Sequence, residues 1–243
     1  MGAGRVRDMA LALSVVLAAI TGYVDAVGFA SLLGVFPANQ SGNMVFLGMA
    51  IGGHGPTPGW RTATSIACFG LGAAVGFLAG RRLGNRHRGP VLLGSELLVI
   101  LAVVVITGPL VQDHPEHGFT GWTVIALTSL AMGVQTEAIR HVAGVAVTTT
   151  YESGALVRIG EMVSAPFREG REPRYAKHLA VLGCVILSYV VGAALGATAI
   201  GRWRWSLLVP CAVLALLVAA WELRPRWFAA IEDAAPPGQP PLP

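Results

Sequence analysis

Charged residues are scarce in this sequence. Asp, Glu, Lys and Arg make up only 12% of the 243 residues, whereas soluble domains contain about 25%. Hydrophobic residues make up 54%, and several apolar runs exceed the roughly 18 residues that a membrane-spanning helix needs. Residues 10–34 contain one charged side chain, Asp25, and residues 90–110 contain one, Glu96. The composition excludes an ordinary soluble domain and predicts a polytopic membrane protein whose first partner is the lipid bilayer.

Motifs of enzymes and of metal sites are also missing. The sequence has no GxSxG, HExxH, P-loop or Rossmann fingerprint. The three cysteines, Cys68, Cys184 and Cys211, lack the paired spacing of a disulfide framework or a zinc site. The arginines cluster in loops between apolar runs without interleaved aromatic residues, which argues against nucleic-acid binding. We therefore expect no enzymatic activity, no cofactor, no metal and no nucleic-acid partner.

Two stretches of the sequence repeat one another, because residues 22–48 align with residues 133–160. The matched features are Asp25 with Glu137, Ser41-Gly42 with Ser153-Gly154, and GAAVG at 72–76 with GAALG at 192–196. Each match of small residues is weak alone, but their shared order indicates an internal duplication.

Each half shows the same order of segments. A long span with one acidic residue is followed by a short polar segment, a span with a small-xxx-small motif and a plain apolar span. The predicted segments are about 9–34, 37–53, 62–81 and 91–111, then 121–142, 145–163, 178–200 and 205–223. We interpret residues 1–232 as one membrane domain, with repeat one at about 9–111 and repeat two at about 121–223. Residues 233–243 are predicted to be a disordered, Pro-rich cytoplasmic tail.

The distribution of basic residues predicts that the two polar segments do not cross the membrane. If they fold back, the chain has six spans, and fourteen of the 17 basic residues lie on the side of both termini. The three on the other side are Arg61, Arg202 and Arg204. Basic residues accumulate in the cytoplasm, so both termini are expected there. If the polar segments crossed, this asymmetry would largely collapse.

Three spans in each half mean that the second half enters the membrane from the opposite face. The predicted fold class is therefore all-α: about six transmembrane helices in two inverted three-span repeats, each with a short re-entrant or broken polar segment. Many secondary transporters are built from such inverted repeats.

Polar residues inside the apolar segments form the candidate site. An acidic side chain in a membrane interior costs about 2.5–3.5 kcal/mol or more, so it usually faces a cavity or a partner. Two interpretations stay open for Asp25: a proton, cation or substrate site, or a hydrogen bond that packs helices. For Glu137 the packing interpretation pairs it with Arg140, one turn away.

The amides and hydroxyls of the two polar segments have two interpretations as well. They would line a break in a helix whose free N–H or C=O groups hold an ion or a polar solute, or they would cap short helices and satisfy each other. The candidate pathway residues are Asp25, Asn39, Ser41, Gly42, Asn43, Gln135, Glu137, Thr149, Ser153 and Gly154.

Three sequence blocks, GYVDAVGF, GVFPANQSGNMVFLG and GVQTEAIRHVAGVAVTTTYESGALVRIG, are similar to the motifs of a known family. It is the YoaK-like family of bacterial membrane proteins, a domain of unknown function, and the resemblance covers about residues 9–223. It implies an integral membrane protein of this architecture and implies no substrate. Thr136 and Glu137 stand where the family pattern usually has Asn-Ala. The resemblance therefore does not imply that Asp25 and Glu137 form a symmetric acid pair.

The function that these features favour is a secondary transporter or channel-like permease for a small solute or ion in the bacterial cytoplasmic (inner) membrane. Its site would lie near the midplane, between the two repeats. The alternative is a non-transporting membrane scaffold, assembly factor or sensor in which the polar motifs are structural. A homo-oligomer is compatible with both.

Overall fold

The computed structural model describes residues 3–31, 34–83, 85–107, 119–138, 141–142, 145–146, 152–164, 173–200 and 203–224. Within these ranges, the chain consists of helices, their connections and one pair of two-residue strands. The Pro-rich tail predicted at 233–243 lies outside the described residues.

The helices follow the predicted order of segments in both halves. They are α1 (Ala3–Ser31), α2 (Gln40–Ile51), α3 (Gly59–Arg82), α4 (Asn85–Thr107), α5 (Phe119–Ala138), α6 (Glu152–Ser164), α7 (Pro173–Thr198), α8 (Trp203–Ser206) and α9 (Leu208–Leu223). The strands β1 (His141–Val142) and β2 (Val145–Ala146) pair antiparallel between α5 and α6. The last predicted span corresponds to α8 and α9 together.

Four of these helices, α1, α3, α4 and α7, are long and apolar enough to cross a bilayer. The apolar helix α9 is shorter, with 16 residues, and α5 has 20 residues, about 30 Å at 1.5 Å per residue. Many large apolar side chains on these helices are exposed, among them Leu98 at 68%, Leu187 at 63% and Leu216 at 70%. Such an extensive exposed apolar surface is typical of a protein that contacts the lipid of a membrane. The chain is a multi-pass membrane protein.

The most extensive helix pairs join the two halves of the chain, since α1 packs on α7 and α3 packs on α5. Glycines bring the backbones of both pairs close together. At each of these glycines, an added Cβ would overlap a backbone carbonyl oxygen of the partner helix. The pairs of glycine and carbonyl are Gly22 with Tyr189, Gly192 with Ala19, Gly72 with Leu130 and Gly133 with Phe69. The two GxxxG motifs therefore pack helices, and no larger residue fits at these positions.

The same contacts give the directions of these helices. Successive contacts are Ala19–Gly192 and Tyr23–Gly196 in the first pair, and Leu130–Gly72 and Val134–Gly76 in the second. Residue numbers rise together along both members of each pair, so α1 is parallel to α7 and α3 is parallel to α5. In contrast, α1 runs opposite to α5. Leu17 on α1 lies beside Gln135, late in α5, whereas Val35, beyond the end of α1, packs on Ile125, early in α5.

Helix α4 runs opposite to its neighbours. Arg88, near the start of α4, contacts Glu137 near the end of α5, and Gly89 contacts Trp221 near the end of α9. Arg88 also lies beside Gly80, near the end of α3. Helices α3, α5 and α9 therefore share one direction, opposite to that of α1, α4 and α7.

Helix α2 is about half the length of a span and begins inside the bundle. Asn43, in its first turn, contacts Ser65, which lies six residues into α3, or about 9 Å along the axis. Ala50, near its end, packs beside Gly59 at the start of α3. Gly34, with φ +71°, adopts a backbone conformation that glycine permits before this segment. Between α1 and α3, the chain thus dips into the bundle and returns to the same end.

Candidate functional site

Asp25 is the centre of a buried hydrogen-bond network at the start of α2. Its side chain is 2% exposed. The carboxylate accepts hydrogen bonds from the backbone N–H groups of Ala38 at 2.7 Å and Asn39 at 3.1 Å, and from the Tyr189 hydroxyl of α7 at 2.8 Å. The positive end of the α2 dipole lies at the same place. Asp25 therefore pins the start of α2 between α1 and α7, a geometry that matches the packing interpretation of this residue.

Asn39 is the N-cap of α2. Its side-chain oxygen accepts from the Gly42 N–H at 3.2 Å and from the Ser41 hydroxyl at 2.8 Å. Gly42 lies against the Phe36 ring, where a Cβ would come within 3.0 Å of the ring atoms. The spacing of an Asn three residues before the donor is that of a helix cap. Since Ser41 is exposed, this cap presents one hydroxyl to its surroundings.

Asn43 is fully buried and connects α2 to α3. Its side-chain oxygen accepts from the Phe36 N–H at 3.0 Å. Its amide group donates to the Phe36 carbonyl at 2.6 Å, the Gln40 side-chain oxygen at 3.0 Å and the Ser65 hydroxyl at 2.9 Å. The Ser65 hydroxyl lies 2.8 Å from that of Ser129 on α5. The network that begins at Asp25 thus includes side chains from both halves of the chain.

Gln135 ties α5 to α1 at a different position. Its side chain is fully buried, and its amide donates to the Leu17 carbonyl at 3.2 Å and to the Thr21 hydroxyl at 3.0 Å. Thr21 lies one turn before Asp25, so this link sits next to the α2 network on α1.

Glu137 is not brought together with Asp25. Its carboxylate lies 3.6 Å from the guanidinium of Arg88 on α4, which also donates to the Glu137 carbonyl oxygen at 2.8 and 3.1 Å. Arg88 is thus the observed partner, whereas the expected Arg140 lies outside the described residues. Both acids are near the C-terminal ends of antiparallel helices. Asp25 and Glu137 therefore lie toward opposite ends of the bundle.

The helix contacts of the two glycine-packed pairs differ in register from the predicted repeat. Gly76 contacts Glu137, and its counterpart Gly196 contacts the Ala26 side chain. Glu137 therefore corresponds to Ala26 in the first half. The alignment of Glu137 with Asp25 is displaced by one residue.

By these glycine contacts, the position equivalent to Asp25 is Thr136. The Thr136 hydroxyl donates to the Gly133 carbonyl of its own helix at 2.6 Å. The position equivalent to Tyr189 on α3 is Phe69, which lacks the hydroxyl that Tyr189 donates to Asp25. The α1–α7 pair therefore holds an acid and a phenol where the α3–α5 pair holds a threonine and a phenylalanine.

The second polar segment is described in part. Thr149 lies outside the described residues. Ser153 and Gly154 lie in the first turn of α6, as Ser41 and Gly42 lie in the first turn of α2. The Ser153 side chain is outside the described part of the chain. Helix α6 packs on α7, as α2 packs on α3.

Several members of the site were not predicted. They are Ser65, Ser129 and Tyr189 in the α2 network, and Arg88 beside Glu137. A signal was present for two of them. Ser129 is four residues before Gly133 and Ser65 is seven before Gly72, so both lie on helix faces that the packing glycines mark.

Comparison with known proteins places this architecture in a family. No solved structure matches the chain. The curated UPF0700 transmembrane protein YoaK of Bacillus subtilis (strain 168) is 27% identical over 205 residues, which cover 82% of this chain and 86% of that protein. The family model described as "Protein of unknown function (DUF1275)" matches residues 13–220, from α1 to α9. The chain therefore belongs to the DUF1275 family of YoaK-like transmembrane proteins.

Proposed function

We propose that the protein is a secondary transporter or channel-like permease for a small solute or ion. The observation that carries this proposal is the half-helix α2, whose N-terminus is buried between helices from both halves of the chain. Asp25 and Ser65 hold this region from the first half, and Tyr189 and Ser129 join from the second. A helix that begins at depth directs N–H groups and a positive dipole end into the protein. Transporters use such ends to bind polar substrates.

The helix directions support two inverted three-span repeats. Helices α1, α3 and α4 of the first half correspond to α5, α7 and α9 of the second, and each runs opposite to its counterpart. The glycine contacts of α1 with α7 also recur in α5 with α3. A two-fold axis in the membrane plane relates the halves of many transporters in this way. Six spans would leave both termini on the side that carries most arginines, the cytoplasm, and the membrane would be the bacterial inner membrane.

The solute site would lie on the outer face of the α2 cap. The exposed Ser41 hydroxyl and the partly exposed Asn39 and Gln40 side chains form that face. Asp25 and Asn43 would support it from behind, because their polar atoms are already bonded to backbone and neighbouring side chains. Glu137 would have no part in this site.

One observation favours the alternative, a non-transporting scaffold, assembly factor or sensor. The polar groups at the start of α2 bond largely to each other. For example, the Phe36 carbonyl oxygen accepts two hydrogen bonds, one from the Asn43 amide and one from the Ser65 hydroxyl. In that function, the network would serve only to hold α2 in place.

Ligand binding separates the two functions. The purified protein is screened against metabolites and ions by thermal unfolding, because a ligand that binds the folded state raises its stability. Hits are then tested for uptake into liposomes that contain the protein. Ser41→Ala is the site variant. Thr198→Ala is the matched control. Thr198 is at the C-terminal end of α7, and its hydroxyl donates to the Leu195 carbonyl of the same helix.

Transport predicts that a ligand raises the unfolding temperature and is taken up. Ser41→Ala should then lower uptake severalfold while Thr198→Ala transports like the wild type, and both variants should unfold at the wild-type temperature without ligand. If Ser41→Ala and Thr198→Ala transport equally well, the site is elsewhere. If no compound shifts unfolding and none is taken up, the scaffold function is favoured.

A further inference from the structure

Glu96 lies near the middle of α4 and takes no part in the α2 network. The apolar segment of α4 runs from His87 to Thr107, so Glu96 is about 14 Å from one end and about 16 Å from the other. Its side chain is 0% exposed. Within the described part of the chain, neither carboxyl oxygen has a hydrogen-bond partner.

Glu96 lies on a stretch of α4 that is buried in the hydrophobic core. Leu93 and Ile100, about one turn away on either side, are buried in the same core as Leu214 of α9. Among the described residues, the buried Cys211 thiol of α9 lies close enough to Glu96 to interact with it electrostatically.

The other titratable groups that the structure describes on the packed helices do not offer Glu96 an ion pair. On α4 itself, Arg88 is eight residues away, about 12 Å along the axis, and contacts Glu137. The remaining titratable side chains described on α3, α5, α8 and α9, the helices packed on α4, are Arg61, Cys68, Arg81, Arg82, Glu137 and Glu222. Arg81 and Arg82 end α3, and Glu137 and Glu222 lie near the ends of α5 and α9, at the end of the bundle where α4 begins.

A carboxylate in such a place loses its hydration and gains nothing in return, so the neutral acid is the form that these surroundings tolerate. A leucine would fill the same space without this cost. The acid is therefore explained by chemistry that leucine lacks, which is the binding and release of a proton.

We propose that Glu96 is a proton-binding site at the α4–α9 interface. In the arrangement described here, the carboxyl group holds its proton. When the interface opens to water, the group releases one proton to that water and becomes a carboxylate, and it takes one proton up before the interface closes. The role of this site, in which proton binding drives solute movement, rests on the proposed transport function. The binding site itself stands on the geometry of Glu96.

Infrared spectroscopy of the purified protein tests the site, because a protonated carboxyl group has a C=O stretching band separate from those of carboxylates. The expected result is a band that Glu96→Gln removes and whose intensity in the wild type falls reversibly as the pH is raised. Glu222→Gln, which removes an exposed acid from the neighbouring helix α9, should keep the band. If Glu96→Gln does not fold, Glu96→Asp retains the acid and should shift the band, which assigns it equally well.

Two results would overturn the proposal. One is that no protonated-carboxyl band is assigned to Glu96. The other is that the assigned band has the same intensity at every pH at which the protein stays folded, since the proton would then never leave. The spectrum needs no solute, so its outcome is independent of the uptake assay. A titrating band without uptake of any compound refutes the transport function alone, whereas uptake without a titrating band refutes the proton site alone.

Discussion

Replacement of Asp25 by alanine should detach the start of α2 from α1 and α7. The change removes the acceptor of three donors, the N–H groups of Ala38 and Asn39 and the Tyr189 hydroxyl. Each buried donor that loses its acceptor costs about 1–3 kcal/mol. The free energy of unfolding should therefore fall by about 3–9 kcal/mol, as measured by reversible unfolding in mixed detergent micelles followed by circular dichroism.

A double-mutant cycle assigns this loss to the network. Tyr189→Phe removes one hydrogen bond to a carboxylate and should cost about 1.5–3 kcal/mol, but in the Asp25→Ala background that bond is already absent and the cost should largely vanish. The matched control is Thr136→Val at the equivalent position of the second half, where the hydroxyl bonds within its own helix. The reasoning is refuted if Asp25→Ala costs no more than Thr136→Val, or if Tyr189→Phe costs the same in both backgrounds.

The remaining predictions concern helix packing and the link between α2 and α3. Gly192→Val should prevent stable folding, because its Cβ would overlap the Ala19 carbonyl, whereas Gly183→Val on the same helix meets open space. A thermal unfolding temperature that both variants share would contradict this. Ser65→Ala removes a partner of the buried Asn43 amide and should lower the free energy of unfolding by about 1–3 kcal/mol. An unchanged value in the same unfolding assay would show that water replaces the hydroxyl.

The order of the helices could be predicted from the sequence because apolar runs and their polar interruptions are local features. The segment PANQSGNMVFLG is an example of a feature that could be predicted from neighbouring residues. Its amides and hydroxyls predicted a break between spans, and the structure begins α2 there, with Asn39 as the cap. A cap is recognisable because the residue and its donor are neighbours in the sequence.

The partners of the buried polar groups could not be predicted in the same way. An acid in a span shows that a partner is needed, and it does not say which helix supplies it. Local spacing suggested Arg140 for Glu137, and Arg140 lies outside the described residues. The antiparallel packing of α4 on α5 brings Arg88, 49 residues away, to Glu137. Likewise, nothing near Asp25 in the sequence indicates Tyr189, which reaches it from α7.

The register of the repeat was displaced for a related reason. The alignment matched Asp25 to Glu137 by chemical type, whereas the helix contacts match Ala26 to Glu137 through the packing glycines. Close backbone approach tolerates only glycine, so the packing glycines are the positions on which a predicted repeat is best aligned. An alignment anchored on glycines would have paired Asp25 with Thr136.

The inverted architecture is tested most directly by labelling with a membrane-impermeant maleimide. Single cysteines are introduced at exposed helix ends, with the three native cysteines replaced by alanine. Two inverted three-span repeats predict that cysteines at His54 and Ile200 are labelled from outside intact cells, and that cysteines at Arg82 and Leu223 are labelled only from the cytoplasmic side. Labelling of His54 from the cytoplasm and of Arg82 from outside would show that α2 crosses the membrane, and it would contradict the two inverted three-span repeats.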